Sequence, residues 1–395
     1  MSTSQFLASF PQRHWYRLSW LSCLLWPLSW LFRLVVGLRR SAYRIGLISV
    51  ARLPVPVLVV GNITVGGTGK TPLTIALAQH FLARGLRVGI VSRGHGGAAR
   101  TQHGTEQAGI AVTPDTPAAL VGDEARLMAD RAGCPVWVGR DRAACARSLL
   151  AVHADCQLIL LDDGLQHYSL ARDIELCVED GRGHGNGLML PAGPLREPAY
   201  RHCDATVVNL GSVIDAGLKR PAIGPAIGPA IGAAIGPAIG AVSAAGLQRR
   251  FRMQLSVEGL YTLAEAPAQD VALALARWQG MRLKAVAGIG HPQRFFDSLQ
   301  RWLQHQANNS EGAVVVPGFE THCFADHHAF VEQDLQFGSA DLIVMTEKDA
   351  VKCRHFNAGL RQRLCYLRVQ AEPDHEFLDW LDRRLDGVRN GSAPA

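Results

Sequence analysis

The chain has 395 residues, nearly half of them apolar (48%), and a formal net charge of +6. That length supports two domains with sizeable cores, and the apolar share points to a mostly globular chain. The charge excess is too mild for a typical nucleic-acid binder and suits anionic substrates or an anionic membrane surface. Nine scattered cysteines, with no Cys-x-x-Cys pair, argue for a reducing compartment and against a disulfide framework.

The chain opens on a Leu- and Trp-rich run, residues 18–32, that carries no charge. Arg13 and Arg17 precede it, and Arg33, Arg39, Arg40 and Arg44 follow. No small-residue cleavage site follows, so a secretory signal is disfavoured. At helical rise the run is about 22 Å long against a hydrocarbon core of about 30 Å. Extending it through Leu34-Val35-Val36-Gly37-Leu38 would bury Arg33. An interfacial helix is therefore expected, with Trp15, Trp20, Trp26 and Trp30 at headgroup depth and arginines on anionic lipid. A buried core helix is the plainer alternative.

Next comes Val57-Leu58-Val59-Val60-Gly61-Asn62-Ile63-Thr64-Val65-Gly66-Gly67-Thr68-Gly69-Lys70-Thr71-Pro72. A short Val-rich run reads as a buried strand, a glycine-rich turn follows, and Leu73-Thr74-Ile75-Ala76-Leu77-Ala78 opens a helix. Strand, glycine loop and helix make a phosphate cradle, in which backbone amides and the helix N-terminus meet phosphate oxygens. Residues 64–69 would line the nucleotide, Lys70 would reach the β- and γ-phosphates, and the Thr71 hydroxyl would hold Mg²⁺. Thr64 stands where the usual pattern has Gly. Pro72 fits a first helical turn.

Residues 87–92 read as the next strand, ending in Arg93-Gly94-His95-Gly96-Gly97, a basic loop at the strand edge where open α/β sheets bind ligands. Val121-Gly122-Asp123-Glu124 precedes a helical segment, residues 125–132, and taken alone its acids read as helix-capping charges. Residues 135–138 read as a strand and 141–152 as a helix. Leu158-Ile159-Leu160-Leu161-Asp162-Asp163-Gly164 is an apolar strand ending in acid, the partner a phosphate loop needs to order Mg²⁺. Strands at 174–178 and 205–209 bracket two loops, residues 183–187 and 191–198. The Pro-Ala-Ile-Gly tetrads of 221–240 read as a low-complexity surface insertion.

Residues 251–263 read as two short strands, 271–278 as a helix, 284–287 as a strand, 295–304 as a helix, and 314–317 and 342–345 as strands. The β–α–β order implies a second α/β domain with a parallel sheet, and the tail after residue 386 reads as frayed. His322, Cys323, Asp326, His327 and His328 are metal-ligand types at a spacing that matches no zinc pattern, so packing or substrate contacts are expected. Divided by composition, residues 1–45 form the membrane-associating helix, 46–250 the phosphate-loop domain, and 251–395 the second α/β domain.

Together the motifs resemble the tetraacyldisaccharide 4′-kinases of lipid A biosynthesis. The phosphate-loop stretch, Ser92-Arg93-Gly94, Val121-Gly122-Asp123-Glu124, Asp162-Asp163-Gly164-Leu165-Gln166-His167, Pro194-Leu195-Arg196-Glu197-Pro198, Ala287-Gly288-Ile289-Gly290-His291-Pro292 and Met345-Thr346-Glu347-Lys348-Asp349 carry the likeness, and Thr64 is typical of the family. The resemblance implies a P-loop NTPase-like parallel core and transfer of phosphoryl from ATP, with Mg²⁺, to the 4′-hydroxyl of a tetraacylated glucosamine disaccharide 1-phosphate, giving lipid IVA. It also implies a place on the cytoplasmic face of the bacterial inner membrane. Carried over by motif, Lys70 and Thr71 serve ATP and Mg²⁺, and Asp162, Asp163 and Glu197 belong to the metal site. Arg196 lies near the phosphates, and Asp123 with His291 resembles the dyad that activates the sugar hydroxyl. His95 replaces the family's more usual Tyr, and the 221–240 insertion is foreign to the family.

No nucleic-acid partner is expected, and a monomer is. Two rival readings stay open: a membrane-associated switch NTPase and a kinase for a soluble metabolite. A guanine reader would carry an Asn-Lys-x-Asp-like motif, and Thr346-Glu347-Lys348-Asp349 has its Lys one place out. A soluble substrate needs no Trp-rich anchor.

Overall fold

A computed structural model describes residues 14–94, 97, 109–212, 249–263, 280–309 and 318–391. The expectations for His95, the 221–240 insertion, the helix at 271–278 and the strand at 314–317 fall outside these residues.

The chain enters through two helices, α1 (Trp20–Leu24) and α2 (Trp26–Arg44). The first half then runs β1 (Val57–Gly61), α3 (Lys70–Ala83), β2 (Val88–Ser92), β3 (Ile110–Ala111), α4 (Ala118–Val121), α5 (Asp123–Arg131), β4 (Val136–Val138), α6 (Arg142–Val152), β5 (Leu158–Asp162), β6 (Ile174–Asp180) and β7 (Ala205–Ser212). The second half runs β8 (Arg249–Thr262), β9 (Leu283–Ala287), α7 (Pro292–Asn308), β10 (Phe319–Cys323), β11 (Leu342–Thr346), α8 (Glu347–Ala350), α9 (Ala358–Arg361), β12 (Leu364–Pro373) and α10 (His375–Arg389).

Among the described residues, twelve strands form one sheet, ordered β10-β9-β11-β12-β8-β7-β6-β1-β5-β2-β4-β3. The fold is mixed α/β. β1 lies between β5 and β6, parallel to both, so the phosphate-loop strand is central and covered on both faces. Alternation along β1 sends Leu58 and Val60 to one face, against Leu73, Leu77 and Phe81 of α3, and Val57 and Val59 to the other, against Ala146 and Leu149 of α6.

The two halves join through β8, which is parallel to β7 and antiparallel to β12. Of residues 251–263, expected as two short strands, all but Leu263 belong to this one long strand. Long-range pairing to β12, opposite both Ser256 and Gly259, overrides the local breaks there. The sequence did not announce the helix α10, which ends at Arg389, just inside the tail expected to be frayed after residue 386. Its Phe377, Trp380, Leu381 and Leu385 are buried against the first-half core. α7 starts earlier than expected because Pro292 fits the first turn, where a missing N–H costs nothing.

Candidate active site

The phosphate loop leaves β1 at Gly61 and enters α3 at Lys70. Gly66 (φ 110°) and Gly69 (φ 96°) take backbone angles that a side chain rarely adopts, and a Cβ on Gly69 would meet Asn209 Nδ2 at 2.5 Å. No side chain caps α3 at Gly69, so the amides of its first turn are left for an anion. Lys70 lies along the loop, its Nζ donating to Asn62 Oδ1 (3.1 Å) and standing 3.4 Å from Asp163. Gly66 and Gly67 are exposed, whereas Thr64 and Thr68 are buried. The buried Thr68 hydroxyl has no partner among the described residues, and Asn209 Nδ2 holds the Thr68 carbonyl at 3.0 Å. Val65 differs from the expectation, because its amide already donates to Pro194 O (2.8 Å). Arg196 N likewise donates to Ile63 O (2.7 Å), and Thr64 bridges Leu195. The start of the loop is thus tied down by the 194–196 segment, and its phosphate-facing part begins at Gly66.

Across from Lys70, β5 ends on Asp162 and Asp163. Asp162 is buried between Thr74 Oγ1 (3.4 Å) and Ser92 Oγ (3.2 Å), which donate to its two oxygens. Burial, with the charges of Glu124 and Asp163 adding to it, pushes this carboxyl up to about 7. Asp163 has φ 48°, unusual for a residue with a Cβ, and pairs with both Lys70 and Arg196 (3.3 Å). Two carboxylates and the Thr71 hydroxyl are hard oxygen donors of the kind Mg²⁺ takes, and its charge would favour the ionised form of Asp162. Glu197 does not join them. It is 1% exposed and bound to Arg201 at 2.5 Å, so its charge is already met inside the protein.

Asp123, the first residue of α5, is buried and reaches the second half of the chain. Its Oδ2 accepts from His327 Nδ1 (3.1 Å) and lies 3.5 Å from Lys352 and 3.9 Å from Lys348. Burial would raise this carboxyl, but His327 and the two lysines outweigh it and hold it down at about 2. The same bond raises His327 above the usual imidazole value, against the opposing effects of burial and Lys348. His327 has φ 58°. Asp163 and His327 are the two non-glycine residues with positive φ among the described residues, and strain of this kind gathers at active sites.

His291 meets a different side chain in this structure. Its Nε2 accepts from Arg182 Nη1 at 2.5 Å, and Arg182 also donates to Gly67 O (2.9 Å) and grips Asp180. Burial and the adjacent Arg182 lower the His291 pKa. The arginine lies against Gly66, so His291 and Arg182 belong to the rim of the phosphate cradle. No sequence signal marked Arg182, and His327 stood out only as one of a polar cluster expected to make packing or substrate contacts. Asp326-His327-His328 is a dense polar run between strands that folds as a turn, and its spacing matches no metal site. Among the described residues no group of His, Cys, Asp or Glu forms a multi-ligand metal cluster, and all nine cysteines are free. His328 pairs with Asp334 instead, and His322 packs on Phe324 and Phe337. Asp349 of the supposed guanine-reading motif turns inward and accepts from Gly288 N (2.9 Å).

A family model described as Tetraacyldisaccharide-1-P 4'-kinase matches residues 21–386. The chain belongs to that family. A tetraacyldisaccharide 4'-kinase of Chromobacterium violaceum is 45% identical over 95% of this chain and 97% of its own. One from Stenotrophomonas maltophilia is 45% identical over 92% and 95%. The crystal structure of LpxK from Aquifex aeolicus in complex with ATP superposes with a TM-score of 0.66, at 24% identity, over 92% of this chain and 99% of that one. It shares the fold.

In this member of the tetraacyldisaccharide-1-P 4'-kinase family the site adjoins the N-terminal helices. Ser29 Oγ of α2 donates to Met189 O (2.8 Å) and Trp15 Nε1 to Pro191 O (3.0 Å). Phe32 and Val36 pack against the core cluster that holds Met189 and Leu195. The opposite side of the helices is apolar and open: Trp20, Leu31 and Leu38 are 71%, 55% and 62% exposed. Arg33 stacks over Trp30 and Tyr200 at its border. No described helix is long and apolar enough to cross a membrane.

Proposed function

We propose that this chain transfers the γ-phosphate of ATP to the 4′-hydroxyl of a tetraacylated glucosamine disaccharide 1-phosphate, giving lipid IVA. The observation that carries this reading is the pairing of Asp123 with His327 across the two halves, beside a phosphate loop that faces Asp162 and Asp163. Lys70 and the first-turn amides of α3 hold the triphosphate, and Arg196 and Arg182 add charge at its edges. Asp162, Asp163 and Thr71 would hold Mg²⁺. When bound, Mg²⁺ supplies positive charge to the β- and γ-phosphate oxygens.

The acceptor oxygen attacks the γ-phosphorus, the bond from that phosphorus to the β,γ-bridging oxygen breaks, and ADP leaves. The hydroxyl proton goes to His327 Nε2. Asp123 is too acidic to keep a proton and instead holds Nδ1–H, fixing the ring's orientation and stabilising the imidazolium that forms. The resemblance implies Asp123 with His291 as the activating dyad, whereas in this structure Asp123 is bonded to His327.

Residues 46–250 and 251–395 serve as nucleotide half and acceptor half, with 1–45 lying on the inner membrane's cytoplasmic face. The active unit is read as a monomer. The direct test is γ-labelled ATP with tetraacyldisaccharide 1-phosphate in mixed micelles. Label should enter the lipid, and label released only as inorganic phosphate would refute the reading. The switch-NTPase alternative predicts that second outcome.

A further inference from the structure

Arg182 stands over the outer end of the phosphate loop. It follows β6, and a Cβ added to Gly66 would lie 3.1 Å from its Nη1 and 3.5 Å from its Nη2. Its Nη2 donates to Gly67 O (2.9 Å), so the guanidinium bends over the two exposed glycines of the loop. Gly66 is also linked to the Lys70 ammonium. Asn62 accepts from Lys70 Nζ through Oδ1 (3.1 Å) and donates to Gly66 O through Nδ2 (3.3 Å). The first turn of α3 meets the inner phosphates and the lysine the outer ones, so a group over Gly66 meets the outermost.

A guanidinium has five N–H donors and keeps its charge at any working pH. In Arg182, Nε and Nη2 grip the Asp180 carboxylate (both 2.8 Å), Nη2 also meets Gly67 O, and Nη1 meets His291. Among the described residues one Nη1 hydrogen is unspent, and Nη1 is the nitrogen nearest Gly66. Asp180 is buried and also binds Arg294 of α7 (3.1 Å). Two guanidiniums share that one carboxylate, so the joint carries net positive charge beside the loop. We propose that Arg182 reads the γ-phosphate, distinguishing ATP from ADP, and that Asp180 is the positioning residue that aims it. The two-point grip of Asp180 fixes the plane of the guanidinium, and the Gly67 contact fixes its height over the loop. A triphosphate then gains a charge-assisted hydrogen bond that a diphosphate is too short to reach. After transfer ADP is left without it, which favours release. The inference deepens the reading of the loop as an ATP site and rests on it.

The plain alternative is that Arg182 only clips the loop to the end of β6. A clip acts on both nucleotides alike, whereas a γ-phosphate reader acts on one. The test is calorimetry on full-length protein with Mg²⁺, comparing ADP with a non-hydrolysable ATP analogue. Arg182→Ala should weaken the analogue about 10- to 100-fold, the range of a hydrogen bond to a charged group, and leave ADP within about threefold. Methylguanidinium added to that variant should restore part of the analogue's affinity and leave ADP unmoved. Asp180→Asn keeps the side-chain volume, should shift the same ratio the same way by a smaller factor, and reports even if Arg182→Ala folds poorly. Equal weakening of both nucleotides, or no weakening of either, would overturn the proposal. The unaltered protein tests the underlying reading separately: if it binds neither nucleotide, the loop is not an ATP site, whatever the variants do.

Discussion

At the scale of single residues, the site is built from charges that restrain one another. Asp123 is held near 2 by His327 and two lysines, so it is ionised throughout the working range. Asp123→Asn should bind ATP with near-normal affinity in calorimetry and lose about 10²–10⁴-fold in kcat, the usual contribution of a positioned acid–base pair. His291→Ala should weaken ATP binding through a loosened Arg182 while leaving the pH profile unchanged, since His291 contacts Arg182 rather than Asp123. His327 itself is raised above 6.5 by its bond to Asp123. Its base form therefore builds up only as pH rises through that higher midpoint, and kcat should climb with pH and level off on the alkaline side. A profile flat from pH 5.5 to 9 would contradict this. Lys70, Thr71, Asp162 and Asp163 were legible in the sequence because their chemistry is local to one strand–loop–helix unit and its acidic partner strand. Which histidine meets Asp123 was not, because His291 and His327 both follow short loops after strands, and only long-range packing decides between them.

At the scale of elements, the segment from Pro194 to Arg201 clamps the loop from outside. Glu197, expected among the metal ligands, is sealed against Arg201, which also reaches Glu175 at 2.8 Å. Removing one partner of a buried pair leaves an uncompensated charge, so Arg201→Ala should cost about 3–5 kcal/mol in denaturant unfolding. If Glu197 were a metal ligand instead, Glu197→Gln would change Mg²⁺ dependence at unchanged stability. The parallel strands around β1 were readable because each is a short apolar run bounded by turn residues. β12 and α10 escaped notice. α10 buries only one stripe of a charged helix, and β12 ends in Gln370-Ala371-Glu372-Pro373, which has neither strict alternation nor a continuous apolar run.

For the molecule as a whole, the sheet does not separate into two domains at its middle, because β8 hydrogen-bonds to both sides. The sequence suggested two α/β units because its β–α–β order restarts after the 221–240 insertion, and nothing local reveals that one strand will bridge them. The apolar side of α1 and α2 makes a separate prediction. Leu31→Glu with Leu38→Glu, both on exposed positions, should leave the melting temperature unchanged and cut co-sedimentation with anionic vesicles several-fold. Turnover on a water-soluble, short-chain acceptor should be preserved in that variant, and a loss there would place the helices in catalysis rather than in docking.

The stretch around Met189–Arg196 touches α2 and Trp15 on one side and the phosphate loop on the other. A single rigid spacer therefore sets the altitude of the reacting phosphorus above whatever plane the tryptophans rest on. Such an enzyme selects its acceptor by reach: a sugar hydroxyl must stand at one height over the bilayer to be phosphorylated. An analogue whose disaccharide is raised on an inserted linker should be bound by its acyl chains and left unmodified.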